Sequence, residues 1–210
     1  MGELGDIVFR SIYVSGTATL LASLWSIPLA YLIASRRRLQ ALAPILEALV
    51  GIPTVLVGLL LYMLLSRSGP LGFLDLLYTP QAIIIGEAVL VTPLVTSVAY
   101  RVLRHGFEVY GELAYSLGAT SRQAMITVVR EALPGLVASV VMGFSRAIGE
   151  LGVAFMVGGN IKGYTRTLTT AIALGVSMGE YEFAMRLGAV LLAITLLVSL
   201  VARLVQRLWA

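Results

Sequence analysis

Long apolar runs separated by short polar segments dominate the chain. Five runs are candidate membrane spans, and they cover about residues 8–34, 44–65, 80–102, 136–157 and 187–204. A helix needs roughly 20 apolar residues, with a range of about 17 to 25, to cross a bilayer. The pattern therefore predicts an all-α integral membrane fold with five transmembrane helices. The whole chain, residues 1–210, is expected to form a single transmembrane domain.

Composition agrees with this pattern and excludes several classes of function. Of the 210 residues, 59% are hydrophobic and 12% are charged, whereas a soluble domain has about 25% charged residues. Cysteine is absent and His105 is the only histidine, so no disulfide, zinc or haem site is expected. The net charge of +4 comes from basic residues at the ends of apolar runs, which indicates a lipid bilayer rather than nucleic acid as the surroundings.

Arginine clusters follow the first, third and fifth apolar runs. Basic residues collect on the cytoplasmic side of membrane proteins. This rule predicts an N-terminus outside and a C-terminus inside. The predicted inner segments then hold nine of the fifteen basic residues: Arg36, Arg37, Arg38, Arg101, Arg104, Arg122, Arg130, Arg203 and Arg207.

The first run carries a stripe of small hydroxyl residues at every fourth position. These residues are Ser11, Ser15, Thr19 and Ser23. Such a stripe allows helices to approach each other closely in lipid. It is also compatible with the wall of a transport pathway, although close packing is the favoured interpretation.

Residues 108–135 form the longest segment that is too polar for lipid. They predict two short helices joined by a hinge, because Gly118 can adopt a positive φ and end the first helix. Thr120 and Gln123 have the spacing of a capping box, so a second helix is expected from there to about Leu133, before Pro134. The shape suits contact with a partner, and the alternative is a plain amphipathic cytoplasmic loop.

Residues 158–186 are rich in glycine and contain an apolar stretch, Leu168 to Met178, that is too short to cross a membrane. A re-entrant or interfacial segment on the outer side is one interpretation. A surface loop with one amphipathic helix is the other.

The fourth run contains two charges, Arg146 and Glu150, four residues apart. On a helix this spacing allows an ion pair, and charges within a membrane usually pair or line water. The pair is either a gate in an anion path or a structural ion pair between helices. Glu87 in the third run is a second candidate for a buried acid.

No catalytic set is present. A phosphate-binding loop needs the pattern Gly-x4-Gly-Lys-Ser/Thr, and the only lysine, Lys162, lies between Ile161 and Gly163. The chain is therefore not expected to be an enzyme or to bind ATP itself.

The polar segment resembles the EAA loop of ABC-type importer permeases. The matching residues are Glu112, Ala114, Gly118, Ala119 and Thr120, followed by Ser121. Leu113 stands where the family has its first alanine. The Leu-Pro pair of the family motif is missing at Arg130 and Glu131, and Leu133–Pro134 follows three residues later.

Residues 145–174 resemble the molybdate/tungstate branch of these permeases. The similarity lies in Arg146, Ala147, Gly149, Glu150, Gly152, the run from Met156 to Ile161, Gly163, Thr165, Arg166, Thr167 and Thr169. The unbroken VGGN sequence and the five spans are more similar to the tungstate-specific type than to the six-span molybdate type.

The resemblance implies a prokaryotic plasma-membrane importer that works by alternating access. Its expected parts are a homodimer of this chain, two cytoplasmic ATPase subunits that hold ATP and magnesium, and an extracytoplasmic oxyanion-binding protein. No cofactor is expected in this chain. Coupling to the ATPase is expected at Glu112, Ala114, Gly118, Ala119, Thr120 and Ser121. Candidates for the pathway or gate are Arg146, Gly149, Glu150, Asn160, Thr167 and Thr169.

Three other functions stay open at this point. A permease for sulfate or phosphate would have the same architecture. An ion-coupled secondary transporter would need no ATPase, although such proteins often contain internal repeats and none is convincing here. A membrane scaffold would show no response to substrate.

Overall fold

The computed structural model describes residues 2–209, and within that range the chain is helical and contains no β-strand. The all-α prediction is thus confirmed. The helices in this range are α1 (Gly2–Ser35), α2 (Ala43–Leu49), α3 (Thr54–Leu65), α4 (Pro80–Gly106), α5 (Glu112–Ser116), α6 (Ser121–Ile148), α7 (Gly152–Gly158), α8 (Leu168–Ser177) and α9 (Tyr181–Trp209). Short 3₁₀ segments cover Arg37–Leu42 and Gly72–Leu74, and a π-helical turn covers Phe107–Gly111.

Four stretches in the described part of the chain are long and apolar enough to cross a membrane. They are α1, α4 together with α5, α6, and α9. The count reaches five if α2 and α3 form one crossing, and these two are bent by 98° relative to each other. The predicted span at residues 44–65 is therefore two short helices rather than one straight helix.

The bend lies at Pro53, which has no N–H group to continue α2. Ile52 closes α2 with a tight turn, donating its N–H to the Leu49 carbonyl over 3.3 Å. Pro53 itself is extended, with φ −60° and ψ 122°. Its carbonyl then accepts from Leu56 and Val57, which starts α3 along a new direction.

The polar segment between the third and fourth spans is built from extensions of the spanning helices. The π-helical turn carries α4 on into α5, well past the predicted end of the span at residue 102. α6 begins at Ser121 and continues through Pro134 to Ile148. The prediction that this helix ends near Leu133 is therefore wrong. A proline inside a helix removes one backbone hydrogen bond, and the turns on either side keep α6 continuous.

The hydroxyl stripe of α1 lies at a packed interface. Ser11, Ser15, Thr19 and Ser23 are all buried. Thr19 and Ser23 donate to carbonyls four residues earlier, each over 2.7 Å. A Cβ atom added at Gly143 of α6 would lie 3.4 Å from the Thr19 side chain, so the two helices approach closely there. The structure therefore supports close packing as the role of the stripe.

The segment that follows α7 folds back into the helix bundle. α8 is a short apolar helix, and Leu168 and Ala171 on it are buried against Ile7 of α1 and Leu187 of α9. The N–H of Leu168 also donates to the Ser11 hydroxyl over 2.8 Å, which ties the start of α8 to α1. These contacts bring α8 next to the break between α6 and α7.

Candidate pathway site and exposed hinge

The candidate site lies at the break between α6 and α7. α6 ends at Ile148 and α7 begins at Gly152, so Gly149, Glu150 and Leu151 connect them. α7 starts directly against α3, because a Cβ atom added at Gly152 would lie 2.7 Å from the Thr54 hydroxyl. The starts of two helices therefore meet beside the break.

The ion pair predicted from the sequence is present at this break. Arg146 Nη1 donates to Glu150 Oε2 over 2.6 Å. The other carboxylate oxygen, Oε1, accepts from the backbone N–H of Val153 over 3.2 Å, at the start of α7. The Glu150 side chain is 2% exposed, whereas the Arg146 side chain is 38% exposed. The carboxylate is thus fixed at both oxygens, and the guanidinium reaches open space.

That open space is a cavity of about 630 Å³ between α3, the break, α7 and α8. Its lining is largely apolar, with one cation and one acid, and consists of Thr54, Val55, Arg146, Gly149, Glu150, Leu151, Gly152, Phe155, Met156 and Ala173. A drug-sized ligand occupies a cavity of about 300 to 1,000 Å³, so a small inorganic anion fits here with water around it.

Two of the predicted pathway residues stabilise the break between α6 and α7 through hydrogen bonds. Thr169 Oγ1 donates to the backbone carbonyl of Glu150 over 2.7 Å. Thr167 forms a capping box with Thr170 at the start of α8, and its hydroxyl lies 3.2 Å from that of Thr169. Both threonines are buried. Their hydroxyls fix the position of Glu150 and do not line the cavity.

Asn160 lies apart from this group, in the loop of residues 159–167. It has a positive φ of 52°, and its side-chain oxygen accepts from Arg166 Nε over 3.3 Å. The structure therefore brings Arg146, Gly149, Glu150 and Thr169 together, while Asn160 stabilises a separate loop.

Glu87 is buried in α4, as expected for a second intramembrane acid. One of its oxygens, Oε2, has no hydrogen-bond partner among the described residues. Glu87 does not line the cavity that contains Arg146.

Sequence reasoning missed the α3 and α7 side of the cavity, where Thr54, Phe155 and Met156 lie. A signal was available for a break before Thr54, since it follows Gly51 and Pro53, and a proline ends or kinks a helix at the preceding residue. Phe155 and Met156 carry no such signal, because apolar residues look the same in a lipid-facing wall and in a cavity wall.

The hinge, residues 112–123, has the helix-ending glycine and the capping box that the sequence predicted. Gly118 has a φ of +82°. The Gly118 N–H donates to the Tyr115 carbonyl and the Ala119 N–H to the Ala114 carbonyl, both over 3.0 Å, which is the Schellman pattern that ends α5. Thr120 and Gln123 form the predicted capping box at the start of α6.

The side chains of the hinge point away from the rest of the chain. Leu117 is 79% exposed and Leu113 is 56% exposed. Glu112 and Ser121 are also exposed. Exposed apolar side chains on a polar segment at the ends of two long helices are typical of a surface that another protein covers.

Comparisons with known proteins agree with this architecture. The family described as "Binding-protein-dependent transport system inner membrane component" matches residues 23–210. The chain is 43% identical, over 95% of its length and 88% of the relative's, to the tungstate uptake system permease protein TupB of Peptoclostridium acidaminophilum. It is 36% identical, over 92% of its length and 86% of the relative's, to a probable anion ABC transporter permease protein of Haloferax volcanii.

A solved structure shares the fold. It is a chain of the MetNI methionine ABC transporter in an inward facing conformation, with a TM-score of 0.80 and 17% sequence identity. The similarity covers 100% of this chain and 97% of that one.

Proposed function

The chain belongs to the family of binding-protein-dependent transport system inner membrane components, and from that premise we propose that it carries a tetrahedral oxyanion, with tungstate as the favoured cargo. It is a multi-pass protein of the cell membrane and the permease subunit of an ABC importer. Molybdate has the same charge and a similar shape, so it is the first alternative cargo.

The observation that carries the oxyanion proposal is the Arg146 guanidinium in the cavity beside α3 and α7. A tetrahedral dianion is best held by guanidinium groups, hydroxyls and backbone N–H groups. The cavity offers the first two through Arg146 and Thr54. We assign the pathway or gate to Arg146, Gly149 and Glu150. Thr167 and Thr169 hold the backbone at the break, and Asn160 holds the adjoining loop of residues 159–167.

The energy for transport comes, in this proposal, from separate ATPase subunits. The sequence contains no phosphate-binding loop, so ATP and magnesium are held by two cytoplasmic partner subunits. Their docking surface is the hinge with Glu112, Ala114, Gly118, Ala119, Thr120 and Ser121. The exposed Leu113 and Leu117 support this assignment, because an ATPase cleft would remove them from water.

The remaining parts are a second copy of this chain and an extracytoplasmic oxyanion-binding protein. In this proposal the chain forms a homodimer, in which a second copy facing the cavity closes a path between the two copies. The proposed topology has five crossings in one domain, with α2 and α3 together as the second. The N-terminus lies outside and the C-terminus inside.

Transport would follow alternating access. ATP binding draws the two ATPase subunits together, and the hinges of the two permease copies approach each other. The inner ends of the spans then close, the outer mouth opens, and the binding protein delivers the anion. Hydrolysis reverses these movements.

The test is ATPase activity in proteoliposomes that contain the permease, its ATPase and its binding protein. Tungstate, molybdate and sulfate are supplied in turn, each loaded on the binding protein. We expect stimulation by tungstate and, more weakly or equally, by molybdate. An Arg146→Gln permease that still assembles with its ATPase should lose the stimulated activity.

Each other result points to a different function. Stimulation by sulfate alone, or by phosphate in a further assay, would mean a different cargo for the same kind of importer. Uptake driven by an ion gradient without the ATPase would favour a secondary transporter. An intact assembly in which no oxyanion changes the ATPase rate would contradict the oxyanion proposal.

A further inference from the structure

The Arg146–Glu150 pair raises a question that a simple anion site leaves open. A cavity built only to attract a dianion would expose its arginine without a carboxylate beside it, because the acid repels the cargo. Here the acid contacts the guanidinium over 2.6 Å and lines the same cavity. The carboxylate therefore needs a role of its own.

The two partners are fixed to different degrees. Glu150 is held at Oε1 by the Val153 N–H and at its backbone carbonyl by Thr169 Oγ1. Among the contacts of residues 2–209, the Arg146 guanidinium engages protein acceptors through Nη1 alone. Its Nε and Nη2 donors stay available on the more exposed side of the pair. An arriving anion thus meets a guanidinium that is already held at one corner by an immobile carboxylate.

We propose that Glu150 is the release element of the pathway: it competes with the oxyanion for Arg146 and keeps the anion weakly bound. This inference rests on the proposed function. A conduction site must bind well enough to admit its ion and weakly enough to let it leave. An unopposed arginine in a low-dielectric cavity would retain a dianion, and Glu150 neutralises it in advance. When the anion moves on, the carboxylate takes the guanidinium back.

The proposal predicts that one variant binds tungstate more tightly but transports it more slowly. Glu150→Gln keeps the side-chain length, an acceptor oxygen for the Val153 N–H and the backbone carbonyl that Thr169 bonds. It removes the negative charge that opposes the anion. We expect the variant to bind tungstate tighter by about tenfold or more and to transport it more slowly, because release becomes limiting.

The experiment measures both effects on the permease–ATPase complex in lipid nanodiscs and proteoliposomes. Binding of tungstate alone, without the binding protein, is measured by equilibrium dialysis with elemental analysis. Uptake driven by ATP is measured with the loaded binding protein. Glu182→Gln is the matched control, since it removes the acid of another ion pair with four-residue spacing, Glu182–Arg186, which does not line the cavity. It should leave tungstate affinity unchanged.

A purely structural role for Glu150 would weaken binding and uptake together, and that result would overturn the proposal. Unchanged affinity in Glu150→Gln would overturn it as well. If that variant assembles poorly, Glu150→Asp retracts the carboxylate by one methylene and should give an intermediate gain in affinity; no gain there would count against the proposal. Stimulation of the wild-type ATPase by tungstate is measured in parallel. The cargo assignment is therefore tested separately from the role of Glu150.

Discussion

The hinge of residues 112–123 and the loop of residues 159–167 reverse the chain with similar backbone devices and then differ in what their side chains contact. Both contain a glycine with positive φ, Gly118 at +82° and Gly159 at +68°. Both lead into a helix that begins with a threonine in a capping box. They differ in where their polar side chains bond and in how exposed their apolar side chains are: Tyr164 of the loop is 48% exposed and Leu117 of the hinge is 79% exposed.

The loop of residues 159–167 makes its hydrogen bonds to other groups of the same chain. The buried Thr165 hydroxyl donates to the Gly158 carbonyl and accepts from the Ile161 N–H over 2.9 Å. Arg10 of α1 donates to the carbonyls of Gly163 and Arg166, over 2.8 and 3.0 Å. The loop therefore needs no partner to satisfy its buried groups.

The hinge satisfies its backbone hydrogen-bonding groups but leaves apolar side chains exposed. Its caps use the N–H and C=O groups at the helix ends, but Leu113 and Leu117 contact little of the chain. The comparison teaches that capping and burial are separate requirements. A segment whose helix ends are capped but whose apolar side chains are exposed has a fixed backbone shape and an apolar surface, and this combination suits docking.

The largest effect is expected from Gly118→Pro. Proline fixes φ near about −65°, which is incompatible with the observed +82°, so the hinge cannot keep its shape. Tungstate-stimulated ATPase activity should fall by more than about tenfold while the spans still assemble. Gly118→Ala, which strains the same position by only about 1 kcal/mol, should give a partial loss. Wild-type coupling in the proline variant would contradict a role for the hinge in docking.

Leu117→Asp should come next. The side chain is 79% exposed in the isolated chain, so the substitution leaves the fold intact and places a charge in the docking surface. We expect affinity for the ATPase to fall by about ten- to a hundredfold, measured by pull-down and by stimulated activity. Met178→Asp, at a residue that is 62% exposed at the end of α8, is the control and should leave ATPase affinity unchanged. Equal loss in both variants would contradict a specific role of the hinge in binding the ATPase.

Thr165→Val tests the closed loop. It removes two hydrogen bonds and leaves a carbonyl and an N–H without partners, so the free energy of unfolding should fall by about 2 kcal/mol. Denaturation in detergent measures this change. ATPase affinity should not change, and Thr195→Val, at a half-buried hydroxyl that bonds only within α9, should change stability by less than about 0.5 kcal/mol. A stable Thr165→Val protein would mean that the loop is held by other contacts.

Thr120→Ala is the smallest expected change. Losing the cap should destabilise the first turn of α6 by about 1 kcal/mol, visible as faster amide hydrogen exchange there. Coupling should fall by no more than a few-fold, because the apolar surface remains. Ser116→Ala, which removes a hydroxyl bonded within α5, should leave exchange in α6 unchanged. Unchanged exchange in Thr120→Ala would show that the capping box contributes little.

Local chemistry made much of this structure predictable. The hinge caps at Gly118 and Thr120 and the Arg146–Glu150 pair follow from residue types at short spacings, and all are present. The bend at Pro53 was misread as a continuous span, because hydropathy records how apolar a run is and not its direction. The cavity wall depends on which helices pack together, and no local pattern in α3 or α7 encodes that.

The bend at Pro53 also determines where the site lies in the electric field of the membrane. α3 has 12 residues and is about 18 Å long, so in the proposed topology, with α3 along the membrane normal, its start at Thr54 would lie more than halfway through a hydrocarbon core of about 30 Å. A dianion that reaches Arg146 from outside has then crossed about 60% of the membrane voltage. Since one charge crossing 100 mV involves about 2.3 kcal/mol, this entry step alone opposes a dianion by about 3 kcal/mol at an interior-negative 100 mV. In that topology, occupancy of the site would depend on voltage as well as on concentration.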